Sequence, residues 1–302
     1  MEKVARLLGL LDAIATVPLL ARHLILKGGT ALNLFLLDVP RLSVDIDVNL
    51  IGAPSREEMM ALRPSVEHAL QAAFASEQLD VRRRPDAHAG GKWSLRYRSV
   101  FGQGAVLELD LNTLHRVPLW EPQPLPSRLP VFSLRPTLLQ DVHEIVAGKL
   151  AALVSRGAGR DIFDAHELLS TLPLQPDRLR LAFVVAAGQA SADWSEYTPD
   201  HIQADPRELR ARLLPLLRRT HVPGVRNIDA WIEQLVEQTQ RLMEIVLPLS
   251  ADERSFVTEI NERGRIDPEL LTSDAGLAAS ITLNPGLRWK ALNVRRHRGL
   301  SD

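Results

Sequence analysis

LKGGTALNLFLLDVPRLSVDIDVN, residues Leu26 to Asn49, decides how this 302-residue chain is read. A short apolar run ends in Gly28-Gly29, and a helix-length segment leads on to Arg41-x-Ser43-x-Asp45-x-Asp47. A strand repeats every two residues, so Ser43, Asp45, Asp47 and Asn49 are predicted to share one face, with Leu42, Val44, Ile46, Val48 and Leu50 packing on the other. The buried face then fixes the register of the polar one. His23 to Lys27 reads as a strand and Thr30 to about Leu37 as a helix. Strand, glycine turn and helix start suit a phosphate, because glycine lets the backbone approach an anion and the free N–H groups and helix dipole favour negative charge.

Around this block, the first twenty or so residues read as a helix, and Asp38-Val39-Pro40 as a turn. A helix is expected around Glu57 to Gln78, then strands at Leu79 to Arg84, Lys92 to Ser99 and Ala105 to Asn112. The last of these, AVLELDLN, sets Glu108, Asp110 and Asn112 on one face, so Asp110 can supply a third carboxylate. Prolines at 118, 122, 124, 126, 130 and 136 exclude regular helix there and read as an extended surface connection. The domain boundary is expected in that stretch, giving domains 1–125 and 126–302. Beyond it the pattern is helical: Leu138 to Ser155, Asp161 to Leu169, Pro176 to Ala190, Pro206 to Arg219, Ile228 to Val246 and Ala251 to Glu262. The fold class is therefore α+β, a mixed sheet flanked by helices followed by a mainly α-helical C-terminal domain.

Hydrophobic residues make up 45% of the chain, enough for each domain to bury a core. With no cysteine, disulfides and thiolate metal sites are excluded, so a metal must rest on oxygen or histidine. Hard cations such as Mg²⁺ suit such donors. No run approaches the ~20 apolar residues of a membrane span, and a cytoplasmic protein is expected. A net charge of −1 gives no global argument for nucleic acid. Basic clusters do occur locally: Arg82 to Arg84, Arg96 with Arg98, Arg207 to Arg219, and Arg288 to Arg298. Each could equally be a solvated surface.

A glycine pair or an Asp-x-Asp alone would be weak, since either also serves turns and edge strands. Their conjunction with Asp110 points to a nucleotide site, because adjacent carboxylates on one face repel unless cations neutralise them. In the helical half, Lys149 has Ile145, Val146, Ala152 and Leu153 three or four residues away, so it either snorkels to the surface or meets an anion. Arg160-Asp161 opens the next helix, which carries Asp164; Asp161 could also be only an N-cap. His143 and His166 have no second histidine at metal-ligand spacing.

These residues resemble the AbiEii/MenT family, nucleotidyltransferase toxins of type IV toxin–antitoxin systems within the DNA polymerase β-like superfamily. The resemblance lies in Gly28-Gly29-Thr30, Arg41-x-Ser43-x-Asp45-x-Asp47, Asp110, Lys149, Arg160-Asp161-Ile162-Phe163-Asp164 and the ending Gly286 to Asn293. It implies a nucleoside triphosphate held between a catalytic and a helical domain. Asp45, Asp47 and Asp110 would hold Mg²⁺ in a two-metal site, with Asp110 also helping to deprotonate the attacking hydroxyl. Gly28, Gly29, Thr30, Arg41 and Ser43 would contact the nucleotide, Lys149 would neutralise the triphosphate, and Asp161 or Asp164 would be a further essential acid. The implied acceptor is the 3′ end of tRNA, extended by nucleotides that are often pyrimidines, so that aminoacylation and translation stop. The implied partners are the triphosphate, the tRNA acceptor stem and a cognate antitoxin, for which phosphorylation of Ser43 offers a route. Transfer to a small molecule or a protein hydroxyl, or nucleotide binding without turnover, are the competing expectations.

Overall fold

The computed structural model describes residues 2–38, 41, 43–83, 90–129, 135–222 and 228–299. Leu42, Arg84, Pro130 and the expected turn at Val39-Pro40 lie outside these residues. The contacts divide the chain into two compact units. One runs to Asp38, continues over Ser43–Asp141 and takes in Leu283–Pro285; the other comprises Arg41, Val142–Thr282 and the chain from Gly286.

The first unit opens with α1 (Glu2–Thr16) and α2 (Pro18–His23), followed by β1 (Leu24–Lys27) and α3 (Gly28–Ala31). From Leu32 to Leu36 the helix widens, the Leu37 N–H bonding back five residues to the Leu32 carbonyl at 2.8 Å. Then come β2 (Asp45–Leu50), α4 (Arg56–Ser76), β3 (Asp80–Arg83), β4 (Gly90–Arg98), β5 (Gly104–Asn112), β6 (Gln123–Leu125) and β7 (Thr137–Leu139). Among the described residues they form one seven-stranded sheet in the order β3-β4-β5-β2-β1-β7-β6. It is mixed: β2 runs parallel to β5 and β1 parallel to β7, and the other neighbours are antiparallel.

Alternation decides which sheet face is covered. Ile46 and Val48 on β2, Leu107, Leu109 and Leu111 on β5, and Trp93 and Leu95 on β4 are all buried. Phe74 of α4 meets Trp93 with ring centroids 6.1 Å apart and planes at 58°, an edge-tilted aromatic pair. Ser55 starts α4 through a capping box with Glu58, consistent with the helix expected there.

Three expectations change in this unit. Strand β2 begins at Asp45, so Ser43 and Val44 precede it rather than sharing its pleat. Asn49 is fully buried although it falls in the polar register, its amide reaching the Gln140 side chain at 3.4 Å. Strands also enter the proline-rich stretch: β6 lies inside it, and β7, paired to β1 through Leu26 and Leu139, occupies what the sequence suggests is the start of a helix at Leu138.

The second unit contains α5 (Val142–Arg156), α6 (Gly159–Thr171), α7 (Pro176–Gln189), α8 (Pro206–Glu208), α9 (Ile228–Met243), α10 (Ala251–Thr258), α11 (Ala275–Leu283, its last residue counted with the first unit) and α12 (Pro285–Arg298). Its core includes Phe183 stacked on Trp194 at 5.6 Å, with Leu150, Leu168 and Phe256 buried. Arg180 clamps Glu253 through two bonds of 2.7 Å, tying α7 to the capped start of α10. The helix expected over Pro206 to Arg219 is present only to Leu216: α8 passes into a wide turn over Leu209–Leu213 and a tight one over Leu214–Leu216, where Pro215 offers no N–H and its ring crowds the preceding turn.

Candidate functional site

Strand register builds the acidic face of the first unit. Antiparallel pairing sets Lys27 of β1 opposite Asp47, parallel pairing sets Asp47 beside Asp110 of β5, and antiparallel pairing sets Asp110 opposite Lys92 of β4. Lys27, Asp47, Asp110 and Lys92 thus form one row across four adjacent strands. Asp45 lies one step along the same face, beside Glu108, and is exposed. Lys92 Nζ donates to Glu108 Oε2 at 3.0 Å, and this bond raises the lysine's pKa despite some burial, with Asp45 and Asp110 adding to the effect.

Lys27 has the opposite balance: burial lowers its pKa, while Asp47 and Asp110 pull it back up. Sequence reading passes over both lysines. Lys27 stands directly before the glycine pair, but only the pairing of β1 with β2 shows that it faces Asp47. Neighbouring His115 is held neutral, its pKa lowered to about 3 first by burial and then by the charge of Lys27.

The glycine turn has a geometric reason. Gly28 has φ of +71°, and a Cβ there would stand 2.3 Å from Asp47 Oδ2. Only a residue without a side chain lets the turn close onto the Asp47 carboxylate. Thr30 is fully buried and donates its hydroxyl hydrogen to the Asp45 carbonyl at 2.6 Å, fixing the start of β2 to α3. Ser43 Oγ lies 3.3 Å from Thr30 Oγ1. Gly29 is buried, and its carbonyl accepts from the Asn33 amide at 2.8 Å.

The second unit holds the other candidates. Asp164 is 4% exposed and takes a two-pronged bond from Arg41, Nε to Oδ1 and Nη2 to Oδ2, each 2.6 Å. Lys149 Nζ stands 3.0 Å from Asp164 Oδ2. Burial alone would raise the Asp164 pKa, but Arg41 and Lys149 more than offset it and hold the carboxyl below its ordinary value. Arg41 is correspondingly held charged by Asp164 against its own burial. Asp161, completely buried, is instead clamped by Arg156 at 2.6 and 2.8 Å. The sequence leaves Asp161 and Asp164 equivalent; the fold gives them different partners, and only Asp164 meets Lys149.

Asp45, Asp47 and Asp110 present hard oxygen donors of the kind Mg²⁺ prefers. Among the described residues no three carboxylate or imidazole groups converge as a metal cluster. Lys27 and Lys92 supply the positive charge beside them instead. The donor chemistry fits a divalent cation.

A mixed sheet presenting carboxylates beside a phosphate-suited glycine turn, followed by a helical unit, is the class of a nucleotidyltransferase. The family described as "Nucleotidyl transferase AbiEii toxin, Type IV TA system" matches residues 9–231, and the chain belongs to it. Among solved structures, the chain is similar to MenT4, the nucleotidyltransferase toxin Rv2826c from Mycobacterium tuberculosis H37Rv. That likeness has 20% identity, covers 92% of this chain and 91% of the other, and has a TM-score of 0.59. Comparison with curated proteins gave no significant match. Among the described residues no helix is long and apolar enough to cross a membrane.

Proposed function

We propose that this protein uses a nucleoside triphosphate, preferably a pyrimidine one, to extend the 3′ end of tRNA, so that aminoacylation and translation stop. The observation that carries the reading is the Lys27–Asp47–Asp110–Lys92 row with Gly28 closed onto Asp47. In the proposed reaction the acceptor hydroxyl displaces pyrophosphate in line at the α-phosphorus. Asp45, Asp47 and Asp110 would hold Mg²⁺, which when bound activates an oxygen nucleophile and neutralises phosphate charge. The amides of the glycine turn would bind the triphosphate, and Asp110 would take the acceptor's proton. Asp164 would hold Arg41 and Lys149 charged and oriented. Residues 1–125 would carry the chemistry and residues 126–302 the tRNA acceptor stem, contacted mainly through phosphates in the cytoplasm.

As a type IV family member, the toxin would be restrained by a cognate antitoxin. Ser43, close to the Thr30 bond that holds Asp45, is a position where a phosphate of nearly two negative charges would repel the triphosphate. Incubation with each labelled triphosphate, Mg²⁺ and total tRNA tests the proposal. Label on tRNA from CTP or UTP supports it; label only on protein or on small molecules overturns the tRNA assignment.

A further inference from the structure

A cavity of about 270 Å³ lies within the second unit, where α6 faces α9. Its apolar walls are Phe163, Leu235 and Trp231. Its polar wall contains His166, Glu167, His221 and Gln238. These groups lie close to one another: His166 Nδ1 is 3.3 Å from Glu167 Oε1, and its Nε2 is 3.0 Å from Gln238 Oε1. His221 Nε2 stands 3.8 Å from Glu167 Oε2, too far for a hydrogen bond, so that oxygen keeps its capacity to accept. With the His166 ring proton on Nε2, Gln238 accepts through its oxygen, which leaves its amide NH₂ to donate elsewhere.

The lining selects a ligand class. Glu167 disfavours an anion, so the site does not suit a phosphate. The volume is near the lower bound of ~300 Å³ for small-molecule sites, enough for a ring system and not for a nucleoside triphosphate. A half-buried tryptophan offers a flat face of the kind on which bases stack. Beside it, a carboxylate acceptor and an amide donor complement an N–H next to a carbonyl or ring nitrogen, the pattern on the pairing edge of every nucleobase.

We propose that the cavity walled by Trp231 and Glu167 binds an unpaired nucleobase. Trp231 stacks on the ring, Glu167 Oε2 accepts its ring or amino N–H, and Gln238 donates to the neighbouring acceptor. Arg219, exposed two residues before His221, is available to the backbone phosphate of a strand carrying that base. No residue assigned to nucleotide transfer lines this cavity, so the binding claim stands apart from the proposed reaction.

Equilibrium dialysis of the full chain against labelled uridine, adenosine and N3-methyluridine, without triphosphate or Mg²⁺, tests it. Uridine and adenosine are expected to bind. N3-methyluridine, whose N–H is blocked, should bind about tenfold more weakly, and Glu167→Gln should shrink that difference. Trp231→Ala should weaken every nucleoside by about tenfold or more, in line with the loss of one stacking platform. Gln234→Ala, at an exposed lining position, gives a second variant should Trp231→Ala unfold by circular dichroism; it should weaken binding less. Tighter binding of a single-stranded tetranucleotide than of any nucleoside would identify RNA as the source of the base. A nucleoside binding more tightly would identify a free nucleoside or nucleotide. Absence of binding at millimolar nucleoside overturns the proposal, as does binding that survives Trp231→Ala and is lost in Asp47→Ala.

Discussion

Replacing Asp164 by asparagine is expected to destabilise the helical unit by about 3–5 kcal/mol, the cost of leaving buried charge without its partner. The structure supplies the reason for so large a figure. The Arg41 and Lys149 side chains are 7% and 14% exposed, and both are directed at one carboxylate that is 4% exposed. Asparagine can accept through one oxygen only and neutralises neither cation. Lys149→Met should cost much less, because the two-pronged Arg41–Asp164 pair survives it. An Arg41→Leu, Lys149→Met, Asp164→Leu variant, which removes every charge of the cluster, should recover most of the loss, since apolar residues often replace buried ions at little cost. Urea unfolding of the full chain, followed by far-ultraviolet circular dichroism, measures all four proteins. If Asp164→Asn and the parent differed by less than about 1 kcal/mol, the cluster would be solvated and Asp164 would not be an anchor. The pH sign agrees with this role: a carboxyl held below its ordinary value stabilises the fold above pH 3.8, and that contribution is lost as the pH falls through its lowered value.

Gly28→Ala should abolish transfer while leaving a folded protein, because its Cβ would displace the Asp47 carboxylate and a φ of +71° adds about 1 kcal/mol of strain; activity within twofold of the parent would refute the close approach. Lys27→Met should increase the thermal shift produced by Mg²⁺, since Asp47 and Asp110 lose the ammonium that offsets their repulsion; an unchanged shift would show that the lysine does not balance them. His115 is neutral when folded and has a pKa of about 3, so the unfolded chain takes up a proton that the folded one does not. Stability should fall by about 2 kcal/mol between pH 6.5 and 5, and His115→Gln should flatten that slope in urea titrations.

The acidic face was legible because two physical signals coincide in sequence: strict alternation over Ala105 to Asn112 and a glycine pair ahead of Asp45 and Asp47. What alternation cannot give is the register between strands. Lys27 and Lys92 therefore stayed hidden, although pairing places them at the two ends of the Asp47–Asp110 row. Asp161 and Asp164 were equivalent as helix acids, and their separate roles follow from Arg156 and Arg41, the latter 123 residues from its partner. Strand β7 was missed because it has only three residues and meets β1 at Leu139 alone, too short a length to leave a periodic signature. Buried Asn49 shows the limit of the pattern, since a residue in the polar register is covered there and meets Gln140.

The most direct test of the central claim is transfer of label from an α-³²P-labelled pyrimidine triphosphate to total tRNA in the presence of Mg²⁺, comparing the parent with Asp45→Ala and Asp47→Ala. The account predicts label at the tRNA 3′ end with the parent and none above background with either variant, both variants keeping the parent's circular dichroism. Equal labelling by parent and variants, or label that never appears on tRNA, would contradict it.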